Sequence, residues 1–294
     1  PFTNQPLKAF MDACRTINPN TKIIFHVDFD FFDIPKDHPL KDAFPSEKIN
    51  NIIDNINACD KVVVTNPQLA SCLITKLKEA GFEADRDNFA VQLLCVDEET
   101  FLDGIEAPKE KDPDYFNLVI LANDNQISDI ETIIEPLIKC KEKHGNRLKI
   151  IFFGANKNKP RFEKAVKGLQ YIPEGAVPVW KYYEKMAKIN PNAIIIPSDL
   201  TDWSIRSTDY KRFLDASLFK IPVITPKVHP MDVLIENGEN GLFYEDNNQL
   251  IEHINSLILT PELGSKLGHA AYESLEKNFI YNRDKIQRLI NLLG

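Results

Sequence analysis

Paired cysteines are missing from this chain. Its five cysteines, Cys14, Cys59, Cys72, Cys95 and Cys140, are scattered without a Cys-x-x-Cys spacing. That excludes a zinc ribbon and a disulfide framework, and it points to a reducing, cytoplasmic setting. A basic excess is missing as well: the net charge is −8, which argues against a broad nucleic-acid surface, so any anionic ligand must be met locally. No apolar run approaches the roughly 20 residues that span a bilayer, and no signal peptide precedes the first expected helix. Gly-x-Ser-x-Gly elbows and Walker loops are absent. His38, His144, His229, His253 and His269 show no metal-ligand spacing and read as surface or packing residues.

What remains is an ordinary globular composition, 43% hydrophobic and 27% charged over 294 residues, long enough for two domains. Strand and helix signals alternate throughout, as in a doubly wound α/β protein with parallel sheets. The first block predicts helices over Leu7 to Thr16, Ser46 to Ala58 and Pro67 to Ala80, with strands over Lys22 to Val27, Lys61 to Thr65 and, more weakly, Phe89 to Val96. Ser46, Pro67 and Gly81 stand as the expected caps. The proline-bracketed, charged segment Gly104 to Pro113 reads as a linker. A second block follows, with strands over Asn117 to Ala122 and Leu148 to Phe153, and helices over Ser128 to His144, Trp180 to Ile189, Asn248 to Leu259, Pro261 to Lys277 and Tyr281 to Leu293. The expected division is a first domain over 1–113, a second over 114–278 and a terminal helix over 279–294. The first block holds few strands, and the chain opens on Pro1 rather than Met, which predicts an abbreviated domain within a longer polypeptide.

The most informative stretch runs from Ile194 to Tyr244. A short apolar strand ending in Pro197 leads through a polar loop to an amphipathic helix over Asp209 to Phe219, then to Ile221-Pro222-Val223-Ile224 and the Gly-rich turn Glu236 to Leu242. Such a unit presents a helix N-terminus, with its unpaired N–H groups, beyond the carboxyl end of a strand, where a phosphate binds readily. Ser207 or Thr208 is the expected N-cap, and Arg206 adds positive charge beside it. Asp215 shares a face with Lys211 and Arg212; the plain alternative is a capped surface helix with a Lys211–Asp215 pair at i, i+4.

This region resembles the donor domain of GT-B glycosyltransferases. The matching residues are Pro197, Ser207 or Thr208, Arg212, Asp215-Ala216, Ile221-Pro222-Val223-Ile224 and Glu236 through Asn240-Gly241-Leu242. Upstream, Asn55 through Ala70 is similar to a strand–helix junction of the acceptor domain of these enzymes. The resemblance, from about Lys22 to the C-terminus, implies two Rossmann-like domains with the last helix crossing back to the first. It implies a nucleotide-diphosphate sugar as donor and a hydroxyl of a glycan, glycolipid or protein as acceptor, with no cofactor, no metal and no nucleic acid. On it, Arg206, Ser207, Thr208, Lys211 and Arg212 would hold the diphosphate together with Asn123 and Gly154, and Asp215 would meet the ribose. Trp180, Tyr182 and Tyr183 stand where family members hold the base. Ser207 occupies the place of the first of two carboxylates in retaining members, and Lys220 replaces a small residue before Ile-Pro-Val-Ile.

A second candidate lies at the end of the first strand. Asp28 and Asp30 form an Asp-x-Asp, the metal-holding pattern of GT-A enzymes, and two carboxylates at a strand end suit a divalent cation. In a GT-B setting His26, Asp28 or Asp30 would instead take the proton of an acceptor hydroxyl, or the loop would be a structural turn. Three further alternatives stay open: a catalytically silent sugar-nucleotide-binding module, a nucleotide-sugar epimerase and a metal-dependent GT-A enzyme.

Overall fold

The structure is a computed structural model, and it describes residues 7–92, 95–106, 108, 110–121, 126–155, 158–208, 210–281, 283, 286, 287 and 290. The chain divides into two compact units, one of Pro1–Leu94, Asp202–Asp209 and Asn282–Gly294, the other of Cys95–Thr201 and Tyr210–Tyr281.

The first unit is built from α1 (Lys8–Ile17), β1 (Ile24–Val27), α2 (Ser46–Asn57), β2 (Lys61–Val64), α3 (Pro67–Glu79) and β3 (Phe89–Val91). Its sheet is parallel, ordered β1-β2-β3. The β-branched run Val62-Val63-Val64 forms the central strand and is buried on both faces, as a covered parallel strand must be. Pro67 opens α3 because its missing N–H is one that no helix start can satisfy. Asn66 caps that start by accepting the Leu69 amide, and Gly81 leaves the other end with φ of +86°. The α2 cap differs from expectation: Pro45 holds the N-cap position and Ser46 is already helical. Val27, Ile52, Val64, Leu69 and Leu73 form the core of this unit.

The second unit contains α4 (Glu98–Leu102), β4 (Phe116–Leu121), α5 (Ile127–Glu131), α6 (Ile134–His144), β5 (Leu148–Phe153), α7 (Pro160–Ala165), β6 (Ile172–Glu174), α8 (Tyr182–Ile189) and β7 (Ala193–Ile195). The chain then supplies α9 (Asp202–Ser207), which belongs to the first unit, and returns with α10 (Lys211–Leu218), β8 (Val223–Pro226), β9 (Leu242–Tyr244), α11 (Asn247–Leu259) and α12 (Pro261–Asn278). The sheet is parallel and ordered β6-β5-β4-β7-β8-β9. Numbered from its own first strand that order is 3-2-1-4-5-6, the Rossmann arrangement, whose ligand crevice lies at the carboxyl ends of the two central strands. Leu118, Ile120, Phe152, Ile195, Leu250 and Leu267 are among the buried side chains on which helices close over this sheet.

Several expectations change. Cys95–Thr201 falls in the second unit, and Lys111 donates to Asn190 and to the Pro191 carbonyl there, so the division between the units lies ahead of the segment expected as a linker. The polar loop before the expected helix contains α9. The helix expected from Asp209 starts at Lys211, with Tyr210 at the cap position and no side chain capping it. Asn123, and most of the expected helix over Tyr281 to Leu293, lie outside the described residues.

Candidate functional site

In the second unit the order reverses between β4 and β7, and Arg212 stands at that point. Its guanidinium donates to the Leu121 carbonyl at the carboxyl end of β4 at 3.0 Å and to the side chain of Gln126 at the start of α5. One turn along α10, Asp215 is buried. It accepts from the Tyr183 hydroxyl at 2.7 Å and from Lys211 at 2.7 and 2.8 Å. Lys211 also donates to the Tyr183 oxygen at 3.1 Å and sits 5.5 Å from the Tyr182 ring centre. Burial raises the Tyr183 hydroxyl far above the ordinary tyrosine range, and the adjacent Asp215 charge adds to the effect. The i, i+4 pair anticipated from spacing therefore forms, with Tyr183 closing it into a three-member network that sequence alone did not suggest. Trp180, in the turn between β6 and α8, is 79% exposed.

Gly154 follows β5 with φ of +103°, a left-handed conformation that glycine adopts without strain. Its N–H, anticipated as a phosphate donor, goes to the Glu174 carbonyl at 2.9 Å. Buried Asp129, on α5, accepts the Asp199 amide at 2.9 Å beyond the end of β7.

The other expected donor ligands belong to the first unit. Arg206, on α9, pairs with Asp30 at 2.8 Å and with Asp33 at 3.2 Å. The Trp203 indole N–H donates to the Asp30 carbonyl at 2.7 Å, the Asn66 amide group donates to the Arg206 carbonyl at 3.1 Å, and Ser207 Oγ accepts the Asp30 N–H at 3.2 Å. The Thr208 hydroxyl turns back to the Ser204 carbonyl at 2.7 Å. Ser207 and Thr208 thus leave α10 uncapped because both hydroxyls have partners elsewhere. Asp30 is fully buried, and its other oxygen accepts the Phe32 and Asp33 amides, so its carboxylate holds a turn and a helix together. His26 and Asp28, by contrast, are exposed and take no part in this cluster.

Asp30, Asp33 and Cys72 bring their ligand atoms within 4.8 Å of one another, the spacing of a cation site. Arg206 and Lys76 already neutralise the two carboxylates, Lys76 lying 3.1 Å from Asp33, and a divalent ion would have to displace both. The Cys72 thiol is pushed up to about 11, first by burial and then by the Asp30 charge. Because the thiolate is the reacting form, Cys72 in the native protein is expected to alkylate with iodoacetamide at pH 8 about a hundredfold more slowly than in urea. Peptide mapping of the labelled protein reads that ratio directly.

No protein-family model matches the sequence, and no curated protein matches it. Solved structures do. TarM of S. aureus, in a complex with Fondaparinux, alpha-GlcNAc-glycerol and UDP, superposes with a TM-score of 0.65 at 16% identity, over 97% of this chain and 53% of that one. Anabaena Alr3699/HepE in complex with UDP and glucose gives 0.66 at 12% identity, over 97% and 74% of the two chains. A glycosyltransferase from Rickettsia africae gives 0.60 at 15% identity, over 98% and 80%. The chain spans about half the length of TarM. At such identities the likeness is one of architecture, and it agrees with the Rossmann order and the paired α/β units: this chain has the GT-B glycosyltransferase fold.

Proposed function

We propose that the chain is a cytoplasmic glycosyltransferase that moves a sugar from a nucleotide-diphosphate donor to a hydroxyl of a glycan, glycolipid or protein, without a metal. The observation that carries this reading is Arg212 anchored at the carboxyl end of β4 in a 3-2-1-4-5-6 sheet. As the glycosidic bond breaks, charge develops on the leaving diphosphate, and a fixed guanidinium there stabilises it without reorganising. Asp215 keeps one oxygen with a single partner, Lys211, for a ribose hydroxyl, and Trp180 offers an open ring to a base. His26 and Asp28 are the groups that would take the acceptor proton, since both are exposed.

Titration with nucleoside diphosphates, followed by Trp180 fluorescence in a Trp203→Phe background and by thermal shift, tests this directly. One diphosphate should bind, and Arg212→Ala should weaken it by about 30-fold, the loss of a hydrogen bond between charged groups. Transfer should survive EDTA. Absence of binding by every diphosphate would sink the reading.

A catalytically silent binding module is the second reading, favoured by Ser207 in place of a carboxylate and by the burial of Asp215 beneath Tyr183 and Lys211. Intact nucleotide binding with neither transfer nor donor hydrolysis would select it, whereas donor turnover without an acceptor would indicate an epimerase.

A further inference from the structure

We propose that Tyr183 sets the specificity of the donor crevice: by holding one oxygen of Asp215 it keeps the crevice from reading a ribose 2′-hydroxyl, so nucleotide-diphosphate donors built on 2′-deoxyribose bind as well as those built on ribose. This specificity rests on the donor-binding reading above and widens the expected substrate class to both sugars.

A carboxylate offers about four acceptor sites, two on each oxygen. On Asp215 protein donors take three of them. The Tyr183 hydroxyl at 2.7 Å and the Lys211 ammonium at 2.7 Å both meet Oδ1, and Lys211 meets Oδ2 at 2.8 Å. The vicinal hydroxyls of a ribose need two sites, and at most one remains, on Oδ2. The Asp215 side chain is only 4% exposed, so it presents no open flank along which a diol could lie. A 2′-deoxyribose keeps a single ring hydroxyl, needs a single site and loses nothing there.

Neither donor to Oδ1 is free to step aside. The Tyr183 ring lies nearly parallel to Phe101, with centroids 5.0 Å apart, and to Phe219 at 6.2 Å, while Tyr182 meets it edge-on at 5.1 Å. Aromatic packing of this kind fixes the ring and with it the hydroxyl. Phe101 comes from α4 and Phe219 directly follows α10, so elements on either side hold the ring in place. Lys211 is more exposed, but it is the cation of a buried carboxylate, and withdrawing it would strand that charge. It also donates to the Tyr183 oxygen at 3.1 Å, which ties the two donors to each other.

Tyr183 therefore acts through Asp215 and is a positioning residue. Phenylalanine in its place keeps the ring and its stack, leaves Lys211 on the carboxylate and releases one site on Oδ1. The terminal torsion of an aspartate is broad, so the released carboxylate can turn to offer one site on each oxygen, the arrangement a vicinal diol needs.

The test is isothermal titration calorimetry of the whole chain with ADP, GDP, CDP and UDP, each beside its 2′-deoxy counterpart. For the base that binds, the native chain should show ribose and deoxyribose affinities within about threefold of each other, less than one hydrogen bond to a charged acceptor contributes. Tyr183→Phe should leave the deoxyribose affinity where it was and raise the ribose affinity about tenfold, the gain of one such bond. A tyrosine with a purely structural role would shift both affinities together. A tenfold ribose preference in the native chain, or a ratio that Tyr183→Phe leaves unchanged, overturns the proposal while nucleotide binding stands. Binding of no diphosphate at all sinks the donor reading and the proposal with it.

Discussion

Replacing Arg206 by alanine is expected to lower the unfolding free energy of the first unit by about 3 kcal/mol. The reason is asymmetry. Asp30 is fully buried and Arg206 is its cation, with the Arg206 side chain only 19% exposed; removing the guanidinium leaves a charge away from water with no opposite charge in hydrogen-bond contact. Asp30→Asn, which removes the charge but keeps the shape, should cost less, and the Asp30→Asn/Arg206→Met pair should recover part of the loss, the coupling a double-mutant cycle measures. Urea unfolding followed by Trp203 fluorescence in a Trp180→Phe background isolates this unit, since Trp203 packs against its core. The same variants decide a question of role. If Arg206 served a donor diphosphate, as the sequence resemblance implies, Arg206→Ala would keep its stability and lose nucleotide affinity. The geometry here predicts the reverse.

That reversal marks where sequence reasoning stops. Alternating strand and helix signals carried the α/β class, and the apolar periodicity of α3, α11 and α12 located those helices to within a residue or two at either end, because such patterns reflect burial that is local along the chain. The two edge strands of the second sheet carry too little pattern. Ile172-Pro173-Glu174 forms β6 at the sheet edge, where a proline costs no ladder bond, and Leu242 to Tyr244 reads as the tail of a turn yet forms β9. Ser207 and Thr208 have the chemistry of an N-cap, but capping preference ranks only local partners. The partner that engages Ser207 is the Asp30 amide, 177 residues away in the chain, and no spacing rule reaches that far. The Asn66-Pro67 start of α3 did carry its own signal, an N-cap residue directly before a proline at the first helical position. The charge and prolines between Gly104 and Pro113 read as a linker because no local pattern shows that the Lys111 head folds back onto the end of α8. Lys111 and Tyr183 had no motif at all; each is defined by what the fold places opposite it.

Gly268→Ala should destabilise the second unit by about 3 kcal/mol, the upper end of what overpacking costs. A Cβ on Gly268 would stand 1.9 Å from the Lys220 carbonyl oxygen and 2.5 Å from its carbon. Both are backbone atoms, and that backbone is already committed. Lys220 sits at φ of +55°, while its N–H goes to the Ser217 carbonyl and that of Ile221 to the Ala216 carbonyl, which together end α10 and launch β8. The neighbouring Gly264 supplies the control on the same helix. Its added Cβ would meet only side-chain carbons at 3.7 Å, so Gly264→Ala should be tolerated and should gain about 0.5 kcal/mol from helix propensity. Opposite signs from two glycines four residues apart would show that close approach of α12, rather than helix preference, governs this turn. Lys220 is also where the family pattern has a small residue, so Lys220→Gly should relieve the left-handed strain and stabilise by about 0.5 kcal/mol. Arg212 and Asp215 ride on α10, the helix that ends in that turn. If Arg212 holds a donor diphosphate as proposed, a shift of α10 that takes the guanidinium off the Leu121 carbonyl should also weaken nucleotide binding in Gly268→Ala, with Gly264→Ala leaving it unchanged.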